Sequence, residues 1–184
     1  MEEISLNILD IAQNSVKAKA TLIYITIDEN LLENKMTVII KDNGCGMDRE
    51  TVERVSNPFF TTRTTRKVGL GIPMFKMAAE MTGGSFSIDS VKDVGTTVEA
   101  VFVYDSIDRM PLGDIAGTIV SLIQCNPDID FVYKHIYNSR EFELDTRQFK
   151  QTLDGIPIND FSVLAFIKEF VIENYDGIKK GVTE

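Results

Sequence analysis

The sequence has little of the chemistry that builds disulfide frameworks, zinc sites or membrane spans. Its 184 residues include no tryptophan, one histidine and two cysteines. Cys45 and Cys125 lie far apart and lack metal-ligand spacing, which excludes the usual disulfide and zinc frameworks. No apolar run approaches the roughly 18 residues that cross a bilayer, and the first residues are acidic where a signal peptide is basic. We therefore expect a cytoplasmic protein with reduced thiols and no membrane contact.

Positive charge is also scarce. The chain carries 19 Lys and Arg against 28 Asp and Glu, a formal net charge of −9. A surface field of this sign repels nucleic acid and anionic lipid, so neither is expected as a partner. A small polyanion such as a nucleotide can still bind where helix N-termini, Mg²⁺ and a few local cations supply a positive field.

The first 105 residues alternate between helix and strand signals. An amphipathic helix is predicted near residues 5–18, and the runs TLIYITID and KMTVIIKD read as adjacent strands. A short helix and a Thr/Arg-rich loop precede a helix that ends at a glycine pair, and a strand hairpin follows. This order predicts an α+β fold, a two-layer sandwich of a mixed sheet with helices on one face. We assign residues 1–105 to this domain.

Residues 106–184 read as a small α/β segment of unknown role. A helix, a strand pair and a final amphipathic helix ending at Tyr175 are predicted, with 177–184 as a frayed tail. His135 falls in a predicted strand and is expected to be structural. Phe131, Tyr133 and Tyr137 are expected to belong to the core, although exposed aromatics could also contact a partner.

Polar residues on the first helix carry the first chemical signal. Asp10 and Asn14 are four residues apart, so their side chains stand one above the other. A carboxylate and an amide oxygen suit a hard cation or an activated water, and Lys17 brings a positive charge to the same face. The alternative is a solvated helix face.

Two glycine-containing segments carry the second and third signals. Asp42 ends a predicted strand, and Gly44 and Gly46 allow the backbone to approach a planar base closely. The alternative is a turn with a purely conformational role. The run Gly69-Leu70-Gly71 opens a helix whose free N–H groups can bind an anion, although it could also be a structural turn.

These signals occur in an order that resembles a known superfamily. The segments DIAQNSVKAKAT, IIKDNGCGMD, NPFFTTR and the run from VGLGIP to VEAVF resemble the N box, first glycine box, F box, and second and third glycine boxes of the GHKL ATPases. This superfamily, with its Bergerat fold, includes histidine kinases, anti-sigma factor kinases, MutL, DNA gyrase and Hsp90. The resemblance covers about residues 4–104 and implies a protein that binds ATP with Mg²⁺.

The resemblance also implies roles for individual residues. Those on the phosphate side are Asn14 as the Mg²⁺ ligand, Lys17 as a phosphate contact and Asp10 as the carboxylate that activates water. Those on the base side are Asp42 as the adenine-reading carboxylate, Gly44 and Gly46 as shapers of the base site, and Thr96 beside the adenine. The resemblance places Gly69, Leu70 and Gly71 in the lid over ATP.

Some positions depart from the family's pattern or admit two interpretations. Asp10 is one methylene shorter than the usual Glu, so rapid hydrolysis does not follow from it. Arg63, Arg66 and Lys67 in the loop could meet the γ-phosphate or could simply be solvated.

Three functions are open from the sequence. The chain could be a stand-alone kinase or switch acting on a protein partner, an ATPase with a conformational cycle like that of MutL, or a nucleotide-sensing module without turnover. We expect the first, with the segment after residue 105 serving recognition. The sequence does not specify an oligomeric state.

Overall fold

A computed structural model describes residues 3–56 and 70–181 of the chain. The elements within these ranges are α1 (Ile4–Lys17), β1 (Leu22–Asn30), β2 (Lys35–Asp42), α2 (Arg49–Val55), α3 (Gly71–Met81), β3 (Ser85–Val91), β4 (Gly95–Val103), α4 (Ile115–Cys125), β5 (Asp130–Tyr137), β6 (Arg140–Asp145), α5 (Thr146–Thr152) and α6 (Phe161–Lys180). None of these helices is both long and apolar enough to cross a membrane.

The described strands form a six-stranded mixed sheet in the order β3-β4-β2-β1-β5-β6. Neighbours are antiparallel except β1 and β5, which run parallel from the Leu22–Asp130 pair to the Glu29–Tyr137 pair. The strands β1 and β2 alternate buried with less buried residues, because side chains along a strand point to opposite faces. This alternation directs one apolar face of the sheet towards the helices.

Helices α3, α1, α4 and α6 pack side by side over that face. The helix α1 turns Ile8, Ile11 and Ala12 inwards, whereas Asp10 and Gln13 are exposed, as the sequence period predicts. The predicted α+β class, with a mixed sheet and helices on one face, is confirmed.

The trailing residues extend the same sheet. The strand β5 pairs with β1 and β6 completes the edge, while α4 contacts α1. The sequence predicts these strands as a pair but does not indicate that they join the first sheet. Phe131 and Tyr133 are buried, as predicted, and Tyr137 is half-buried.

Two details of the C-terminal region differ from the prediction. The helix α5 was not predicted; it begins where the Asp145 side chain accepts a hydrogen bond from the Arg147 N–H. The predicted helix end at Tyr175 is wrong, because α6 continues to Lys180. The buried Val163, Ile167 and Val171 hold α6 against the core, and Gly177 does not end it because tertiary packing outweighs a local glycine penalty.

Candidate nucleotide site

A buried carboxylate marks the centre of the candidate site. Asp42 ends β2 and is 8% exposed. Its Oδ1 accepts a hydrogen bond from the Gly44 N–H at 2.8 Å, and its Oδ2 accepts one from the Ser15 hydroxyl at 2.6 Å. A carboxylate without such donors would be costly to bury. These two contacts therefore hold Asp42 in place beneath α1.

The turn after Asp42 needs glycine for close backbone approach. Gly46 has φ of +60°, and a Cβ atom there would lie 2.0 Å from the Val91 carbonyl oxygen. At Gly44 an added Cβ would lie 2.8 Å from the Ala18 carbonyl oxygen. Both distances are shorter than van der Waals contact, so side chains are excluded at these positions. The turn is thereby pressed against α1 on one side and the β3–β4 hairpin on the other.

Hydroxyl groups of the β3–β4 hairpin border the same turn. Thr96 is the register partner of Asp42 in β4. Its Oγ1 lies 2.8 Å from the Ser90 Oγ, and the Ser90 Oγ also accepts a hydrogen bond from the Met47 N–H at 2.8 Å. Ser90 therefore links the glycine turn to Thr96.

A cavity of about 210 Å³ opens between these elements. Five residues that the sequence predicts for the site line this cavity: Asn14, Lys17, Asp42, Gly46 and Thr96. Its other residues are Ile11, Ser15, Ala18, Cys45, Met47, Val55, Ile72 and Val98. Most of the latter group are apolar, so the cavity combines a largely apolar wall with one buried carboxylate. That combination suits a planar, partly polar ring.

The remaining residues that the sequence predicts for the site lie around the cavity or outside the residues that the structure describes. Gly44 donates its backbone N–H to the Asp42 carboxylate, and Leu70, immediately before α3, is 58% exposed. Arg63 and Gly69 lie outside the described residues, as do Arg66 and Lys67.

Asp10 lies beside the cavity, against the first residue of α3. A Cβ atom at Gly71 would stand 3.2 Å from the Asp10 Cβ, a distance at which few side chains pack. Glycine at position 71 therefore lets α1 and α3 approach closely. The first turn of α3 has N–H groups without intrahelical partners, which favour an anion nearby.

Sequence reasoning missed Ser15, which contacts Asp42 directly. A signal for it was present, because Ser15 is a polar residue on the apolar side of α1, one helical turn beyond Ile11. Such a residue usually has a buried hydrogen-bond partner. Among residues 3–56 and 70–181, no group of three His, Cys, Asp or Glu side chains is arranged to hold a metal ion.

The only histidine of the sequence lies away from this site. His135 in β5 is fully buried and its Nε2 lies 2.8 Å from the Glu29 Oε1. Its Nδ1 lies 2.6 Å from the Tyr133 hydroxyl. The structural role predicted for His135 agrees with this burial, since both ring nitrogens have internal partners.

Comparison with known proteins identifies the family. The family described as "Histidine kinase-, DNA gyrase B-, and HSP90-like ATPase" matches residues 2–105. A putative sensor protein of Shewanella frigidimarina is 32% identical over 103 residues, which cover 55% of this chain and 15% of that protein. The sensor histidine kinase YvrG of Bacillus subtilis is 30% identical over 95 residues, covering 48% of this chain and 16% of that protein. The matches thus span less than a fifth of these relatives.

Solved structures agree on the fold. The ATPase domain of Aquifex aeolicus MutL complexed with ADP superimposes with a TM-score of 0.50 at 17% identity, covering 79% of this chain and 63% of that chain. The N-terminal domain of a DNA repair protein gives a TM-score of 0.54 at 15% identity, covering 79% and 53%. With the family match over more than half of its length, the chain belongs to the histidine kinase-, DNA gyrase B- and HSP90-like ATPases, the GHKL superfamily.

Proposed function

We propose that this chain binds ATP together with Mg²⁺ and that the adenine occupies the cavity beside Asp42. The observation that carries the proposal is the buried Asp42 carboxylate, held by Ser15 and Gly44 in an otherwise mostly apolar cavity. A carboxylate accepts hydrogen bonds, and the exocyclic amine of adenine donates them. The MutL domain with a related fold was solved with ADP, which supports the same ligand class here.

We propose that the base lies inside the cavity and the phosphates beyond it, which the size of the cavity supports. Typical small-molecule sites enclose roughly 300–1,000 Å³, so a cavity of about 210 Å³ accommodates part of a nucleotide. Lys17 and the first turn of α3 then offer a cation and N–H donors to the phosphates. Leu70 and Gly71 would form the lid-side boundary, and Gly69 and Arg63 are proposed to continue it.

The residues present also fit Mg²⁺. This ion is commonly held by one or two protein oxygens together with substrate phosphates. Asn14 lines the cavity near Lys17 and supplies one amide oxygen. Mg²⁺ bound there would neutralise phosphate charge, which an acidic protein of net charge −9 otherwise opposes.

We propose that the γ-phosphate is transferred to a protein partner, or that bound ATP acts as a regulatory switch in the action of this chain on a partner. The sensor histidine kinases among the relatives favour a kinase-like use of ATP. His135 is buried with both ring nitrogens occupied, so the acceptor would lie elsewhere. We propose residues 1–105 as the ATP-binding part, residues 106–184 as the part for recognition, and the cytoplasm as the setting.

An alternative is hydrolysis with a conformational cycle. Asp10 is exposed beside Gly71, at the end of α3 that would face the phosphates. If Asp10 activates water, Asp10→Asn should stop phosphate release without abolishing ATP binding. Release of labelled phosphate and its transfer to candidate proteins separate the two uses, and neither would occur in a pure sensing module.

Calorimetric titration with Mg-ATP tests the binding proposal. Asp42→Asn should weaken binding by roughly tenfold to a hundredfold, because hydrogen bonds to a charged group contribute about 1.5–3 kcal/mol. Asp89→Asn, at an exposed position of β3, is the matched control and should bind as the wild type does. A wild-type chain that gives no heat and no nucleotide-dependent protection would refute ATP binding.

A further inference from the structure

The six-stranded sheet ends at β6, a strand with a neighbour on one side only. Among the strands that the structure describes, β6 pairs with β5 and stands last in the order of the sheet. Such an edge presents backbone N–H and C=O groups with which another extended segment can pair. We propose that β6 is a docking site at which an extended segment of a protein partner, with alternating basic and apolar residues, adds as a further antiparallel strand. Such docking rests on the recognition role proposed for residues 106–184 and not on ATP binding.

The register of the β5–β6 hairpin determines which backbone groups of β6 point outwards. The strands are joined by a turn of two residues with positive φ, so Tyr137 and Arg140 are the hydrogen-bonded pair that closes it. Hydrogen-bonded and non-hydrogen-bonded pairs alternate along antiparallel strands. In agreement with this alternation, the N–H of Asn138, directly after β5, donates to a β1 carbonyl oxygen at 3.0 Å. The N–H and C=O groups of Glu141 and Glu143 therefore point away from β5.

One face of this edge is acidic. The exposed side chains of Glu141 and Glu143 lie on the face opposite the buried Phe142, because side chains alternate along a strand. Lys134 of β5 lies 2.9 Å from the Glu141 carboxylate and is also the register partner of Glu143, so a single ammonium group serves both carboxylates. Basic side chains opposite the two glutamates would supply further positive charge, and opposite charges across neighbouring strands stabilise a sheet.

The other face of the edge is aromatic. The rings of Phe142 and Phe170 have centroids 6.3 Å apart on the side that the helix α6 covers. Phe149 contacts Phe170 and Phe166, at 5.8 and 6.1 Å between centroids. This row leads from the interior to the surface, since Phe142 is 9% exposed and Phe166 is 58% exposed. An apolar residue of an added strand, placed opposite Phe142, would extend the row and be shielded from water by it.

A second copy of the chain does not suit this edge. In an antiparallel pair of β6 strands, outward-facing residues meet outward-facing residues, so Glu141, Glu143 and Asp145 would lie opposite one another in every register. Like charges directly opposite each other destabilise a sheet, and charged edges protect against self-pairing. The net charge of −9 also repels a second copy and attracts a basic segment.

Fluorescence anisotropy with short labelled peptides at physiological salt tests the proposal on the full chain. The peptide KVKVKV has the required alternation and should bind. KTKTKT keeps the charge and the branched shape but loses the apolar contact, and EVEVEV reverses the charge, so both should bind more weakly. Methyl groups on the backbone nitrogens of the lysines, which face β6 in an antiparallel pair, should abolish binding. Methyl groups on the backbone nitrogens of the valines, which face away from β6, should not.

Two variants of the chain place the peptide on β6. Glu143→Lys should lower the affinity for KVKVKV roughly threefold to tenfold and raise that for EVEVEV, because it reverses a cross-strand charge. Glu80→Lys makes the same charge change at an exposed position of α3, at the far side of the helical layer, and should leave both affinities unchanged. Bound KVKVKV should also slow hydrogen exchange of the outward-pointing Glu141 and Glu143 amides, measured by NMR.

The outcomes separate docking at β6 from the nucleotide function. Equal affinities of KVKVKV and its lysine-methylated form, or equal losses in the two variants, would overturn strand addition at β6. Wild-type dimers that KVKVKV dissociates would also overturn it, because a second copy would then occupy the edge. A chain that binds Mg-ATP but not KVKVKV would refute docking alone, whereas a chain that binds KVKVKV but not Mg-ATP would refute the nucleotide function alone.

Discussion

At the scale of single residues, the turn after β2 tolerates almost no added atoms. Gly46 combines a left-handed backbone, φ of +60°, with a position where a Cβ atom would be 2.0 Å from the Val91 carbonyl oxygen. That oxygen belongs to backbone and cannot swing aside as a flexible side chain would. The geometry of the cavity that Gly46 lines therefore depends on a hydrogen atom in place of a side chain.

Gly46→Ala is expected to lower the free energy of unfolding by at least about 2 kcal/mol, through backbone strain and the forced shift of the hairpin. Mg-ATP binding should weaken as well, because Gly46 lines the cavity. Urea unfolding and calorimetric titration measure the two effects. Gly177→Ala is the control: nothing lies within 4 Å of a Cβ there, and the helix should gain roughly 0.5–1 kcal/mol. Equal stability of the two variants would contradict the prediction.

The residues of the site differ in how far the sequence could predict them. Asp42, Asn14 and Lys17, which the motif order singles out, line one cavity, and their roles stay predictions. Ser15 escaped because a serine beside Asn14 is ordinary by itself, and its significance comes from a partner that the fold brings within 2.6 Å. Contacts between residues far apart in the sequence leave only a weak signal in the local pattern of polar and apolar residues.

At the scale of elements, a buried polar cluster fastens α6 to the sheet. Glu29 of β1 is 4% exposed, and its Oε1 receives hydrogen bonds at 2.8 Å from Tyr175 of α6 and from the His135 Nε2 of β5. Burial acts to raise the pKa of Glu29, but the hydrogen bonds from His135 and Tyr175 outweigh it and lower the pKa. Burial and the nearby Glu29 raise the pKa of Tyr104 to about 12, so that hydroxyl stays protonated.

Because the pKa of Glu29 is lower in the folded chain than its ordinary value of 4.5, its contribution is complete above that pH and is lost as the pH falls through the folded pKa. Glu29→Gln should cost about 1.5–3 kcal/mol at pH 7 and progressively less below pH 4.5, as the wild type must protonate Glu29. Urea unfolding between pH 3 and 7 measures this. Glu33→Gln, which removes only an exposed contact with Lys35, is the control and should stay within about 0.5 kcal/mol. A Glu29→Gln deficit that did not shrink in acid would contradict the assignment.

Element by element, local signals predicted the N-terminal half well. The apolar spacing of α1, the alternation in β1 and β2 and the glycines after α3 each act within a few residues. The extension of α6 to Lys180 depends instead on tertiary contacts, including the stacking of Tyr175 on His135 at 4.3 Å between ring centroids. A short-range reading of Gly177 could not include that contact.

At the scale of the whole molecule, the parallel pairing of β1 with β5 makes one sheet from both parts of the sequence. The sequence pattern identified the strands but not this pairing, because it joins residues more than a hundred positions apart and no short motif encodes it. Among the residues that the structure describes, those lining the cavity all fall between Ile11 and Val98. The cavity and the sheet edge that supports it are thus built from different parts of the sequence.

This distribution predicts how a fragment of residues 1–105 should behave. Without β5, the backbone of β1 becomes an unpaired sheet edge, and α1 loses its contact with α4. We expect the fragment to unfold at lower urea concentration than the full chain and to aggregate, since exposed edges pair with other chains. Its folded fraction should still bind Mg-ATP, because the residues that line the cavity remain. Size-exclusion chromatography, urea unfolding and titration measure these properties.

Residues 1–160 form the matched control, which keeps β5 and β6 and lacks α6, and this fragment should aggregate less. If the fragment of residues 1–105 were as stable and as monomeric as the full chain, β5 would contribute nothing to the stability of the sheet or to the protection of its edge.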